Sequence, residues 1–460
     1  MSLLHLLAAT LVTSRPNRKR SRRVRININD LPPEVLLIIM EATMSTCSKD
    51  LDVYNTPRVP FNHGISHVCR RWRTIALSCA DLWSVVPHPE SLPQWTKLCL
   101  SRCAHGPIEL YVPLAMSWAT ETAAQDAIRL VLPHLARVRR LDLHLGLDSY
   151  LLRHKERGLA MAFVKDIIEA LTAQRMPSLE AVTLFFNTSL IDGGPYRGPT
   201  FPSNLFERQP VPRLRRLTLA YCVVSSSSPI YAPSLRHLEL HNVRGWGGID
   251  GMIQCLQNTP LLETFIYKDA GNHLALLPFD ARRSIVHPLR CVRLDYLSRL
   301  ELEGMFMSTA GIFSHLSIPV SATIHINKPN KRSDQDTDHL TMFTEALTDH
   351  FTAAHTDGAR FTKVIVDEVK VTAHPEPNTT TAGEGLLGKF ELGMLRIAHC
   401  DEIMTAFFRA LLSIPIFRMA GALEVSDDFS KMYPELAKEF TPLILAQRST
   451  SKCSPSSILS

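Results

Sequence analysis

The sequence predicts an α/β chain, α+β overall: a small N-terminal module of three helices followed by an irregular solenoid of strand-and-return units. Three observations predict it. Residues 28–86 carry apolar residues at helical spacing, interrupted by prolines. Downstream, a pattern of L-x-x-L-x-L type recurs six times. The chain has 460 residues, 45% of them hydrophobic and 20% charged, which is enough apolar material for a large core and too little charge for a disordered polymer.

The net charge is +6, yet residues 1–25 alone hold seven basic side chains (Arg15, Arg18, Lys19, Arg20, Arg22, Arg23 and Arg25) and no acid. The rest of the chain is therefore close to neutral, which argues against a basic nucleic-acid-binding body. Residues 1–27 are expected to be a basic disordered tail. Arg18-Lys19-Arg20 with Arg22-Arg23 also suits nuclear import, and an acid-poor, arginine-rich leader suits mitochondrial import. The ten cysteines contain no C-x-x-C pair, so free thiols in a reducing compartment are expected. The longest apolar stretch, Leu3–Val12, is far short of the roughly 20 residues a bilayer demands, and its positive charge follows it. The expected location is intracellular, in the cytoplasm or nucleus, with no membrane partner.

The first helix opens at Asp30-Leu31-Pro32-Pro33-Glu34. Proline fits a first helical turn because its missing N–H would have had no partner, and Glu34 suits the positive end. Val35, Leu36, Ile38, Ile39 and Ala42 continue it with a broad apolar face. Residues 45–63 read as a loop. A second helix is expected from Ile65 to Leu77, with Ile65, Val68, Trp72 and Ile75 on one face and Arg70, Arg71 and Arg73 on the others. Asp81-Leu82-Trp83 opens a third element.

Taken together, L-P-x-E-V-L-x-x-I, a spacer, S-H-V-C-R-R-W-R-x-I-A and a closing D-L-W resemble an F-box, closest in style to those of fungal F-box proteins. The matching residues are Leu31, Pro32, Glu34, Leu36, Ile39, Val68, Cys69, Arg70, Trp72, Leu82 and Trp83, in about an eighth of the chain. The spacer is longer than in the compact form of that module. The resemblance implies docking on a Skp-family adaptor and, through it, on a cullin–RING ubiquitin ligase, by apolar side chains filling adaptor grooves. Leu31, Pro32, Leu36, Ile39, Val68, Cys69, Trp72, Leu82 and Trp83 are the adaptor-binding candidates. The same residues also suit the core of a small helical domain, a role that fits Trp72 especially.

Residues 87–445 carry the repeat: Val138/Leu141/Leu143, Leu179/Val182/Leu184, Leu214/Leu217/Leu219, Leu235/Leu238/Leu240, Leu262/Phe265/Tyr267 and Leu297/Leu300/Leu302. Pro177, Pro212, Pro233 and Pro260 each stand two residues before the first position. Successive copies lie 21 to 41 residues apart, so the array is a degenerate, leucine-rich-repeat-like one. Helical returns fit Leu151–Leu171 and Gly251–Gln257. Beyond Asn327 the pattern decays, with a helix expected over Met342–Ala354, strands over Phe361–Thr372 and a last helix–strand unit over Met404–Ser426. Residues 446–460 are expected to be a second disordered tail. A single unit cannot bury its own core, so units must stack.

If the strands align, the residues between the apolar positions share a face. Arg140, His144, Arg216, His237, His241 and Lys268 are its candidates for contact with a target protein. The face mixes both signs and gathers no arginine cluster of the kind a phosphate reader needs. An ordinary solvated face fits equally.

Catalytic motifs (G-x-S-x-G, G-x-x-x-x-G-K-[ST], G-x-G-x-x-G, H-E-x-x-H) are absent. His63, His67 and Cys69 lack a fourth ligand in reach, and no metal or cofactor is expected. The leading expectation is a non-catalytic substrate receptor of an SCF-type (Skp–cullin–F-box) E3 ubiquitin ligase in ubiquitin-dependent degradation. Two alternatives stand beside it: an F-box scaffold working outside a ligase, and a nucleic-acid-associated protein using the basic tail.

Overall fold

A computed structural model describes residues 28–49, 61–86, 93–114, 122–147, 154–188, 198–269, 279–327, 337–367, 370–375, 387–393 and 401–440. Both terminal tails lie outside these residues. The chain divides into two compact units, residues 1–143 and 144–460.

In the first unit, a 3-10 turn at Ile28–Asp30 leads into α1 (Pro33–Lys49), which buries Leu36 and Met40. The helix runs on through 45–49, where a loop was expected, because Ser45 to Lys49 include no proline or glycine to stop it. The second expected helix is two: α2 (Phe61–Ser66) and α3 (Arg70–Ser78). A turn at His67-Val68 separates them, and Cys69 caps α3 with extended backbone, its Sγ accepting from the Trp72 N–H at 3.5 Å. A 3-10 turn at Ala80–Trp83 follows. β1 (Val85–Val86) pairs in parallel with β2 (Ile108–Leu114), with α4 (Pro93–Arg102) between them. The amphipathic α5 (Thr122–Val131) precedes β3 (Val138–Leu147), within which the unit boundary falls. The compact unit thus extends well past residue 86, where the helical module was expected to end.

The second unit is built around a mixed sheet. Its helices and strands, in chain order, are α6 (His154–Thr172), β4 (Ala181–Thr188), β5 (Thr200–Phe201), β6 (Arg216–Ala220), β7 (Val223–Val224), β8 (His237–His241), α7 (Ile249–Gln257) and β9 (Thr264–Lys268). Then follow β10 (Val292–Arg293), β11 (Arg299–Glu303), α8 (Phe306–His315), β12 (Leu316–Ser317), β13 (Thr323–Asn327) and α9 (Thr337–Thr356). The last are β14 (Phe361–Val366), β15 (Lys370–Pro375), β16 (Phe390–Gly393), α10 (Asp401–Ser413), α11 (Pro415–Arg418), β17 (Leu423–Val425) and α12 (Asp427–Met432).

The spatial order from β4 is β4-β6-β8-β9-β11-β13-β16-β15-β14-β17. Pairing is parallel from β4 to β16 and again at β14–β17; β15 alone runs antiparallel, against both β16 and β14. The parallel registers place Leu217 opposite Leu238, Leu238 opposite Phe265, Phe265 opposite Leu300 and Leu300 opposite Ile324. Every apolar position of the six sequence repeats is buried. Parallel strands need a crossover between them, which is why returns such as α7 and α8 separate consecutive strands.

The hairpin β14–β15 and the strand β16 depart from the repeat. A cluster of phenylalanines supports them: Phe351 of α9 packs edge-on against Phe361, Phe390 and Phe417, with ring centroids 5.4 to 5.7 Å apart. Phe343, one face of the same helix earlier, meets Phe306 and Phe313 of α8.

Candidate functional site

The expected adaptor-binding residues split into two groups. Leu36, Leu82 and Trp83 are fully buried in the first unit's own core, so their side chains are not available to a partner. Trp83 donates its Nε1–H to the Ala76 carbonyl at 2.7 Å, and the Arg102 guanidinium lies 3.9 Å above its ring. Both contacts explain why an aromatic with one donor sits there. Trp72, Ile39, Leu31 and Cys69 are half-buried, and Pro32 and Val68 are exposed. Val68, assigned from spacing to the apolar face of a continuous helix, sits instead in the turn before α3 and is 60% exposed. The Leu31–Pro32 segment is held from below: the Arg71 guanidinium donates to the Leu31 carbonyl at 2.6 Å. Arg73 in turn donates to the Ser66 carbonyl at 2.8 Å, tying α3 to the end of α2.

Sequence reasoning missed the most exposed apolar side chain of this region. Ile38 is 63% exposed, and Val35, one helical turn before it, is exposed as well. Ile28 and Leu77 are exposed too, so half of the large exposed apolar side chains among the described residues fall within 28–77. The breadth of the apolar face on α1 was the available signal: a helix of 17 residues packed on one side cannot bury Val35, Leu36, Ile38 and Ile39 together.

The face carrying the alternate strand residues is laced with ion pairs. His241 Nε2 lies 2.7 Å from Glu239, and Lys268 Nζ 2.7 Å from Glu301, with Glu303 at 3.9 Å. Arg299 reaches Glu301 at 2.8 Å. Glu391 accepts from Lys370 and Lys389 and lies 3.5 Å from His325. The His241 hydrogen bond holds the Glu239 carboxyl below its usual range. For Glu301 and Glu391 burial opposes ionisation, but the flanking cations win and both carboxyls are also held low. In the first unit Arg140 binds Asp142 at 2.6 Å.

Of the six expected target-binding residues, Arg140, His241 and Lys268 are thus engaged by neighbouring carboxylates. His144 stacks on Phe185 with centroids 6.0 Å apart, and Phe185 meets Tyr221 edge-on at 5.8 Å. Arg216 and His237 stand directly opposite each other on β6 and β8. Burial, with Arg216 beside it, lowers the His237 pKa.

Among the described residues no group of three His, Cys, Asp or Glu side chains could hold a metal ion, and no helix is long and apolar enough to cross a membrane. The seven described cysteines are free thiols; burial pushes Cys222 and Cys255 well up, away from reactivity. In comparisons with known proteins, no protein-family model and no curated protein matches the chain.

Proposed function

We propose that the protein is the substrate-recognition subunit of an SCF-type ubiquitin ligase, docking on a Skp-family adaptor through its first unit and presenting a target on its leucine-rich-repeat-like second unit. The resemblance of residues 28–86 to an F-box is the starting point. The observation that carries the reading is the number of exposed apolar side chains there: Val35, Ile38 and Val68, with Pro32 exposed as well. Water contact at so many aliphatic side chains in one small region is what a covered surface looks like before its partner arrives. The motif residues Leu36, Leu82 and Trp83 are buried, and their part is in the unit's own core. No bond chemistry is assigned to the chain; its contribution is proximity between a target and a ubiquitin-charged enzyme.

The test is calorimetric titration of a Skp-family adaptor into the full chain. Binding with a large negative heat-capacity change is expected, because the surface is apolar. Ile38→Asp with Val68→Asp is expected to weaken binding at least a hundredfold and to leave the melting temperature within a few degrees of wild type, since both side chains are already in water. Unchanged affinity in that variant removes this surface from the interface. Absence of binding by the wild-type chain rejects the ligase reading and favours a scaffold that works without the adaptor.

A further inference from the structure

Between Phe279 and Arg290 the chain crosses the surface of the second unit with no helix and only an isolated bridge at Asp280. Its centre reads Arg282-Arg283-Ser284-Ile285-Val286. Ile285 is 101% exposed and Val286 77%, the two most exposed large apolar side chains among the described residues. Nothing in the fold accounts for two adjacent β-branched residues standing fully in water on an irregular segment. Arg282 and Arg283 before them are exposed too. Arg282 is held only by its near neighbour Asp280, in a surface pair with 2.6 Å between the closest atoms.

We propose that Ser284 is a phosphorylation site for an arginine-directed serine/threonine protein kinase. Each feature of the segment then has a task. Arg282 and Arg283 supply the cations that an acidic substrate groove recognises, Ser284 the hydroxyl, and Ile285 the apolar side chain that follows it into a hydrophobic pocket. In the transfer, Ser284 Oγ bonds to the γ-phosphorus of magnesium-bound ATP. The bond from that phosphorus to the β,γ-bridging oxygen breaks, ADP departs with the electron pair, and the hydroxyl proton passes to the kinase's catalytic carboxylate.

The surroundings also suit the product. Ser284 Oγ accepts from the N–H groups of Val286 at 3.1 Å and His287 at 2.8 Å. These two donors, with the arginines and His287, are the groups that hold a phosphate by charge-assisted bonds. Ser284 is half-buried; its bond from Val286 is exposed and that from His287 part-buried, so fitting a kinase requires the turn to open and both bonds to be exchanged for bonds to water. With a charge near −2 added, the segment 280–284 changes from net positive to net negative.

The experiment incubates the full chain with magnesium, ATP and the catalytic subunit of cAMP-dependent protein kinase, with an acid-directed kinase in parallel, and maps phosphate by mass spectrometry. Phosphate on Ser284 from the first kinase and little from the second is expected, and no phosphate on Ser284 from the first overturns the proposal. Ser284→Thr is expected to retain labelling, and Ser284→Ala to lose at least nine-tenths of it. Arg282→Ala with Arg283→Ala is expected to slow labelling of Ser284 at least tenfold. Label confined to other hydroxyls that follow basic residues, such as Ser21 or Ser333, overturns the proposal, as does arginine-free labelling of Ser284 at the wild-type rate. Mapping on the wild-type chain keeps the result independent of whether any variant folds.

Discussion

His350 lies buried on α9 against Phe313 and Phe351, with Arg290 donating from Nη2 to its Nδ1 at 3.2 Å. Arginine has no lone pair to offer, so Nδ1 must be the acceptor and the ring proton sits on Nε2. Burial, with the Arg290 charge adding to it, lowers the His350 pKa to about 3 from an ordinary 6.5. Burial lowers the Arg290 pKa too, and the carboxylate of Asp349 partly offsets that. On acidification the unfolded chain takes up the proton before the folded one does. The stability that neutral His350 provides is therefore complete above about pH 6.5 and declines as the pH falls toward 3, at up to about 1.4 kcal/mol per pH unit. His350→Asn keeps an acceptor for Arg290 without a titrating group. Thermal melts from pH 4 to 7 are expected to show a shallower fall in melting temperature for that variant than for wild type; parallel curves would show that His350 is not the group responsible.

At the scale of elements, the parallel ladder was legible in the sequence because each strand advertises three buried positions. Leu235, Leu238 and Leu240, for example, lie where the period predicts, and all are buried. The turns that close each unit were less legible. Gly245 has φ +117°, a conformation side chains avoid, and a Cβ placed there would run into the Val224 carbonyl. The close approach follows from the bridge between Val223 and Arg244, in which Arg244 donates to Cys222 and accepts from Val224 at 2.7 Å. Gly245→Ala is expected to cost at least about 2 kcal/mol, read as a lowered denaturation midpoint, because the backbone on both sides must move. A midpoint equal to wild type would mean that this bridge opens freely. The helix predicted over 65–77 failed for a related reason. Period alone cannot tell a continuous helix from two helices whose faces align across a turn, and the cysteine that caps α3 is an unusual cap.

At the scale of the whole molecule, the resemblance sets an end near residue 86, whereas the compact unit runs to Leu143. The physical reason lies in what residues 80–86 need. Val85 and Val86 pair with Glu109 and Leu110, and Trp83 packs on Trp95, 5.7 Å away, under Arg102. A fragment of residues 1–90 loses all of these partners. It is expected to lack the near-ultraviolet dichroism of an ordered tryptophan and to melt without a cooperative transition, whereas the full chain shows both. A sharp melt of the fragment would return the boundary to residue 86.

The sequence by itself determined the alternation of apolar residues that makes parallel strands, the start of α1 and the near-neutral body, because these follow from periodicity, proline placement and charge, all local properties. It also carried the motif residues between Leu31 and Trp83. Which motif residues face inward was decided only by the tertiary structure: Leu36 and Ile38 are both apolar and two apart, yet in a helix that packs on the 3-10 turn and α3 the first is buried and the second stands in water. The same holds for the sheet face, where the cations read as free contacts find carboxylates on their own or neighbouring strands, as Lys268 of β9 finds Glu301 of β11. A partner on another strand, as for Lys268, is far away in sequence and is met only through register, which no local pattern encodes, whereas Arg140–Asp142 and His241–Glu239 lie two residues apart on one strand.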